Sequence, residues 1–162
     1  MAKEPKGESQ ELNAWMLLQQ TRDLIFRCED RVLNRCGLTT EQYEVLLAIK
    51  YLDEPVRATD IGRWLGHKVN TVSMIVERMV KAGLVDRMRD LPDRREVRVA
   101  ITAKGEQAFT SGSPAVSELI ETIWSSLQSD DAHTLFRLLE VLRDRALDCA
   151  STGADIRGTE SY

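Results

Sequence analysis

Long apolar runs are missing from this chain of 162 residues; stretches such as "WMLL" stop after a few positions. A helix that crosses a bilayer needs about 20 consecutive apolar residues, so none is expected. The opening "MAKEPKGESQ" has no apolar segment behind its lysines and does not read as a secretory signal, which leaves the cytoplasm as the expected compartment. Cysteine is scarce: Cys28, Cys36 and Cys149 are an odd number with no Cys-x-x-Cys pair, which argues against a disulfide framework or a zinc site. Histidine is scarcer, with only His67 and His133. No glycine loop for phosphate, no nucleophile elbow and no metal-ligand spacing accompanies them, so neither an enzyme nor a bound cofactor is expected.

What the chain has is segregated charge. Its formal net charge is -4, yet Val56 to Gly105 carries eleven Lys/Arg against six Asp/Glu, a net of +5, and the remainder sums to -9. The stretch "RMRDLPDRREVRVAITAKG" (Arg87 to Gly105) opens with five arginines and three acids in a dozen positions. A basic middle between acidic flanks is the electrostatic footprint of a nucleic-acid module on a solvating body. At this length the chain is one domain with extensions, rich in helix.

Periodicity divides it further. Residues 1–10 form a polar tail. From Glu11 to about Arg35 no Pro or Gly occurs, and Leu12, Trp15, Met16, Ile25, Cys28 and Val32 lie at helical spacing. Gly37 suits a helix end, and Thr39 with Gln42 has the spacing of a capping box opening a second helix, about Thr40 to Leu52. In "RATDIGRWLGHKVNTVSMIVERMVKAGLV" two short apolar faces follow. The first holds Ile61, Trp64 and Leu65; the second holds Val69, Val72, Ile75, Val76 and Met79, with Gly66 between them and Gly83 at the close. Two helices about a glycine turn make a helix-turn-helix, in which Gly62 allows close approach of the helices. "LVDRMR" and "EVRVAIT" are short strands around the turn material "DLPD". A helix-turn-helix followed by a basic hairpin is a winged helix. Thr102 caps a further helix, which Gly112 and Pro114 are expected to bend or interrupt. "SDDAHTLFRLLEVLRDRALDCA" is the last helix, with Leu135, Leu138, Leu139, Leu142 and Ala146 as its apolar stripe and His133 as a solvated residue. Residues 151–162 are a second polar tail.

This order of elements resembles the MarR family of bacterial winged-helix regulators over residues 11–150. "GLTTEQYEVL" is similar to the segment opening that family's second helix, and "IGRWLG…NTVSMIVERMVKAGLVDR" to its helix-turn-helix. "DLPDRREVRVAITAKG" is similar to its wing, the most specific part of the match. The resemblance implies a mainly helical fold: a winged helix-turn-helix at 38–105, flanked by dimerisation helices at 11–36 and 115–150. The implied function is sequence-specific binding of double-stranded DNA by a homodimer, as a ligand-responsive repressor on a pseudo-palindromic operator in the nucleoid of a bacterium or archaeon. A winged helix used for protein contacts, or a thiol-based redox regulator, is the alternative.

On the second helix of the motif, Asn70, Thr71, Ser73, Met74, Glu77 and Arg78 lie outside the core-facing set, and His67 and Lys68 stand just ahead of it, placed to touch phosphate or base. Met74 occupies a position where the family commonly has arginine, and Lys68 one where a small polar cap or an acid is common. Met74 is expected to make apolar contacts in the groove or to fill the interface with the wing. In the wing, Asp93, Arg94 and Arg95 match the family's "DRR". The resemblance makes Arg95 the arm entering the minor groove, Asp93 the group that holds an arginine, and Arg94 a backbone contact or structural partner. Trp15, Met16, Trp124, Leu135, Leu138 and Leu142 on the terminal helices would leave apolar patches exposed in a monomer, and the resemblance implies that these helices join two copies of the chain. A small aromatic or lipophilic effector is the family's usual ligand, and Trp15, Tyr43, Tyr51 and Trp124 are the aromatics placed to line its pocket. Cys28 is expected to be a small buried hydrophobe and Cys36 the accessible thiol.

Overall fold

The computed structural model describes residues 9–52, 54–88 and 98–152, apart from the side chains of the last two. These form α1 (Gln10–Asn34), α2 (Thr40–Tyr51), β1 (Val56–Arg57), α3 (Ala58–Leu65), α4 (Val69–Lys81), β2 (Val85–Met88), β3 (Arg98–Ile101), α5 (Ala103–Trp124) and α6 (Ser129–Thr152). They fall into two compact units, the first ending at Leu119 and the second starting at Ile120.

Local chemistry sets the helix boundaries. The capping box at α2 is reciprocal: Gln42 N–H donates to Thr39 Oγ1 at 3.2 Å, and Thr39 N–H donates to Gln42 Oε1 at 3.0 Å. These bonds satisfy donors that would otherwise be orphaned at the first turn. At the far end of α1 the chain reverses through Gly37 at φ 75°, and Leu38 N–H returns to Leu33 O at 3.1 Å. Gly66 and Gly83, at φ 70° and 72°, close α3 and α4 in the same left-handed conformation.

The three strands pair antiparallel in the order β1-β3-β2. Val99 is the central register point, opposite Val56 on one side and Arg87 on the other. The expected hairpin is thus β2 and β3, while β1 is an addition to it. Two residues carry no period, so alternation could not announce that strand. Beneath the sheet, Val56, Val85 and Val99 join Leu46, Ile49, Ile61, Val72 and Met79 in one buried cluster that binds α2, α3 and α4 together.

Three expectations need correction. Trp64 does not face the core with Ile61: it is 43% exposed and stacks on Tyr51 of α2, with ring centroids 5.6 Å apart. Val69 also leaves the apolar face of its helix and is exposed, because the first turn of α4 projects beyond the cluster. The third concerns α5, which is continuous through Gly112 and Pro114. Proline removes one donor there, but Gly112 supplies packing: a Cβ would stand 3.0 Å from Leu33 Cδ2, so the bare backbone lets α1 and α5 meet closely. Tyr43 from α2 completes this contact. It stacks on Phe109 at 5.2 Å between centroids, and its hydroxyl donates to Ser113 Oγ at 3.3 Å.

In the second unit, the leucine stripe of α6 is uncovered. Leu135, Leu138, Leu139 and Leu142 remain partly exposed, and Phe136 and Val141 add to the uncovered apolar area. Leu12, Trp15, Met16, Leu17, Leu18 and Leu24 do the same on α1 in the first unit. No helix among the described residues is long and apolar enough to cross a membrane.

Candidate nucleic-acid interface

The candidate surface is anchored at both ends of α4. Entry to the helix depends on α3: His67 N–H donates to Gly62 O at 2.8 Å, and a Cβ on Gly62 would stand 2.9 Å from His67 O. Only glycine at 62 lets the turn fold back this tightly, which is the packing reason expected for it. Lys68 is the N-cap residue, extended at ψ 141° and with no side-chain cap bond, so the first amides of α4 are left for water or an anion.

At the other end, the motif "TAKG" closes the helix. Thr102 Oγ1 donates to Gly83 O at 2.7 Å and accepts from Gly105 N–H at 3.0 Å. Lys104 Nζ donates to Ala82 O at 2.7 Å. Carbonyls just past the end of α4 are thus tied to the first turn of α5 by two side chains, where cations also meet the negative end of the helix dipole. Thr102 was legible as a cap. Its second bond to Gly83, and the role of Lys104, join residues about 20 positions apart and left no local trace.

Between these anchors α4 is two-sided. Val72, Ile75, Val76 and Met79 are buried; Asn70, Thr71, Met74, Glu77 and Arg78 are exposed, with Ser73 half-buried beside them. The expected outward set is therefore gathered on one surface, with Met74 60% exposed. His67 is turned differently. Its ring points back to α2, with Nε2 4.0 Å from Glu44 Oε2. Asp93, Arg94 and Arg95 lie outside the described residues. At the base of the wing, Arg57 and Arg98 stand opposite each other on β1 and β3. They line a shallow cleft of about 280 Å³ with Leu52, Pro55, Val56 and Asp60. Sequence analysis passed over this pair because only strand pairing brings the two residues together.

Glu44 was missed as well. Burial pushes its carboxyl above the ordinary glutamate value of 4.5; His67 opposes that shift, Glu41 adds to it and Arg22 opposes it. Glu29 on α1 is raised too, by burial and then by Glu44. A raised folded-state pKa means that the protonated form is favoured. The contribution is present below the unfolded value and is lost as pH rises through the folded one. At neutral pH the ionised Glu44 therefore burdens the fold, and Glu44→Gln is expected to raise the urea midpoint at pH 7. The advantage should shrink as pH falls toward 4.5, the ordinary value. Paired urea titrations across that range test this; a midpoint lower than wild type at pH 7 would mean that attraction to His67 outweighs burial.

The four aromatics expected around an effector do not share one setting. Tyr43 is buried against Phe109 and Ser113, while Tyr51 is exposed and stacked on Trp64. Trp15, on α1, and Trp124, at the end of α5, are both exposed. None of the four lines the cleft at the base of the wing. The thiols also differ from expectation. Cys36, half-buried, directs its Sγ toward Ser111 O at 3.5 Å across to α5; Cys28 is half-buried and Cys149 is exposed. Cys36 is less open than its place beside Gly37 suggested, because α5 packs over that turn.

Comparison with known proteins agrees with this geometry. A winged helix DNA-binding domain model matches residues 38–105. The ligand-free organohalide sensing RdhR transcriptional regulator superposes with TM-score 0.83 at 22% identity, over 100% of this chain and 96% of that one. Its 2,4-dichlorophenol bound form gives 0.82 at 24%, over 91% and 87%. The HTH-type transcriptional regulator MgrA of Staphylococcus aureus is 31% identical over 110 residues, 68% of this chain and 73% of MgrA.

The chain belongs to the MarR family.

As a MarR-family protein it is a DNA-binding transcriptional regulator with the mainly helical, winged helix-turn-helix fold expected from its residues. Its relatives in these comparisons are regulators of transcription, not enzymes. In MarR-family terms, α3 and α4 are the helix-turn-helix, and β2 and β3 lead into and out of the wing.

Proposed function

We propose that this regulator works as a homodimer that represses transcription from a pseudo-palindromic operator and is released by a small aromatic or lipophilic molecule. In this reading residues 38–105 bind DNA, and the helices at 11–36 and 115–150 join the two copies. The observation that carries it is the division of labour between surfaces. Polar and apolar groups able to read bases are gathered on α4, whereas α1 and α6 carry uncovered leucines and aromatics. Two-fold symmetry then sets two copies of α4 about one helical turn apart, roughly 34 Å.

Contacts to DNA are assigned to Asn70, Thr71, Ser73, Met74 and Arg78 on α4, and to His67 and Lys68 just ahead of it, at phosphate or base. Arg95 enters the minor groove, with Asp93 and Arg94 beside it. An effector is supported by the 2,4-dichlorophenol bound form of the RdhR regulator. Of the aromatics considered for its pocket, Trp15 and Trp124 have the freer rings, since Tyr43 and Tyr51 are stacked on neighbours.

Selection of bound duplexes from a random pool, with wild type and Arg95→Ala side by side, tests the DNA part. The expected product is a pseudo-palindrome with half-sites about one turn apart, bound less tightly by the variant. Affinity should also fall steeply with salt, because each neutralised phosphate releases counterions. No enrichment at low salt by either protein would overturn the proposal.

A further inference from the structure

The exposed side of α4 has an unusual composition for a helix that reads DNA. Asn70, Met74 and Glu77 recur at the spacing i, i+4, i+7 and share one stripe, with Val69 and Thr71 on the first turn beside it. No lysine or arginine lies between Val69 and Glu77. Guanine offers two adjacent acceptors, O6 and N7, and a forked cation is the usual reader of that pair. The cations of α4 itself, Arg78 and Lys81, stand in its last turn, and Lys81 Nζ is 3.2 Å from Glu77 Oε1. That ion pair engages one of the two oxygens of the carboxylate that could accept from a cytosine amino group. Lys68 stands before the first turn, at the unpaired helix amides, where phosphate is the matching partner.

What the stripe offers instead is one amide with apolar neighbours. Asn70 can make a bidentate bond to adenine N6 and N7. Met74 is 60% and Val69 43% exposed, and Thr71 adds a methyl group on the other flank of the stripe. The major-groove edge of a base pair carries one apolar group, the C5-methyl of thymine. Scattered apolar residues on a surface need no explanation. Here, however, they flank the stripe's bidentate amide on the surface that meets DNA, and the core has left them out.

We propose that α4 is an A·T reader: Asn70 recognises adenine, and Met74 and Val69 cover thymine methyls, so each half-site centres on A·T pairs. This rests on α4 being the helix that enters the major groove.

The test uses the duplex enriched from the random pool, with thymines in both half-sites replaced by deoxyuridine one symmetric pair at a time. Each replacement deletes methyl groups and leaves every hydrogen bond in place. For wild type, at least one pair should weaken binding about 16-fold, from about fourfold for each of the two methyls removed from contact. Met74→Ala should bind the thymine duplex about tenfold more weakly and lose most of its response to deoxyuridine at that pair, while Met74→Leu restores both. Since Met74 is exposed, the alanine variant should melt with wild type; if it does not, Val69→Ala and the deoxyuridine series on wild type decide the matter. Half-sites centred on G·C, or wild-type binding unchanged at every deoxyuridine position, would overturn the A·T reading and leave the operator itself intact. A pool from which nothing is enriched would overturn both.

Discussion

Gly105→Ala is expected to destabilise the protein by about 3 kcal/mol, the upper end of the cost of overpacking a closed site. Helix propensity alone gives the opposite sign, because alanine is favoured over glycine by about 1 kcal/mol inside a helix. Propensity loses here because of what stands opposite. A Cβ on Gly105 would overlap the carbonyl oxygen of Leu84 and lie 2.9 Å from Ile101 Cγ2. Leu84 O cannot retreat freely, since it accepts from Thr102 N–H at 3.1 Å, and Thr102 in turn holds Gly83 O. One methyl group therefore strains the junction of α4, β2 and α5 together. Denaturant unfolding at a fixed protein concentration measures the effect, as stability depends on concentration in a dimer. A change below about 0.5 kcal/mol, the range of ordinary surface substitutions, would mean that α5 slides to make room.

The second large effect belongs to the proposed dimer. Leu138→Glu with Leu142→Glu is expected to yield monomers and to lower operator affinity by about 100-fold or more, since a second half-site bound through a linked copy adds that much by effective concentration. Leu138 and Leu142 are about half exposed on α6, one turn apart, so the single chain should tolerate both changes. Covered by a partner, the two carboxylates would be stripped of water without a counter-charge, which an apolar interface cannot accept. Sedimentation gives the mass, and duplex titration at constant salt gives the affinity. An unchanged mass would place the partner elsewhere; an unchanged affinity with monomeric mass would mean that one reading helix suffices.

Much of the fold was legible in the residues because it follows from short-range chemistry. The capping box at Thr39 and Gln42, the left-handed glycines at 37, 66 and 83, and the alternation around Val99 act over a few residues. Neighbouring positions alone decide them. The same holds for the two faces of α4, where Val72, Ile75, Val76 and Met79 repeat at helical spacing and are buried as expected. The wing motif carried the family because its residue types answer to the backbone: Thr102 caps, and Gly105 leaves a gap.

The misplaced residues share a different cause. Val69 and Trp64 fit the apolar period of their helices, but period says only which residues share a face, not where the covering neighbour stops. The core ends before the first turn of α4, which leaves Val69 outside, and Tyr51 draws Trp64 to the surface. Strand β1 was silent because two residues have no pattern, yet its pairing with β3 sets Arg57 against Arg98. Proline in α5 signalled a break that packing of Gly112 against Leu33 outweighed. The carboxyl of Glu44 and the ring of His67 meet across 23 positions of chain, and the raised pKa of Glu44 depends on burial that no local pattern encodes. Residue order thus settled the helices, their caps, the two strands of the hairpin and the family, because each depends on atoms a few bonds or one helical turn apart. Tertiary packing alone settled which apolar side chains remain uncovered and which charges face each other, because both depend on distances between segments remote in the chain.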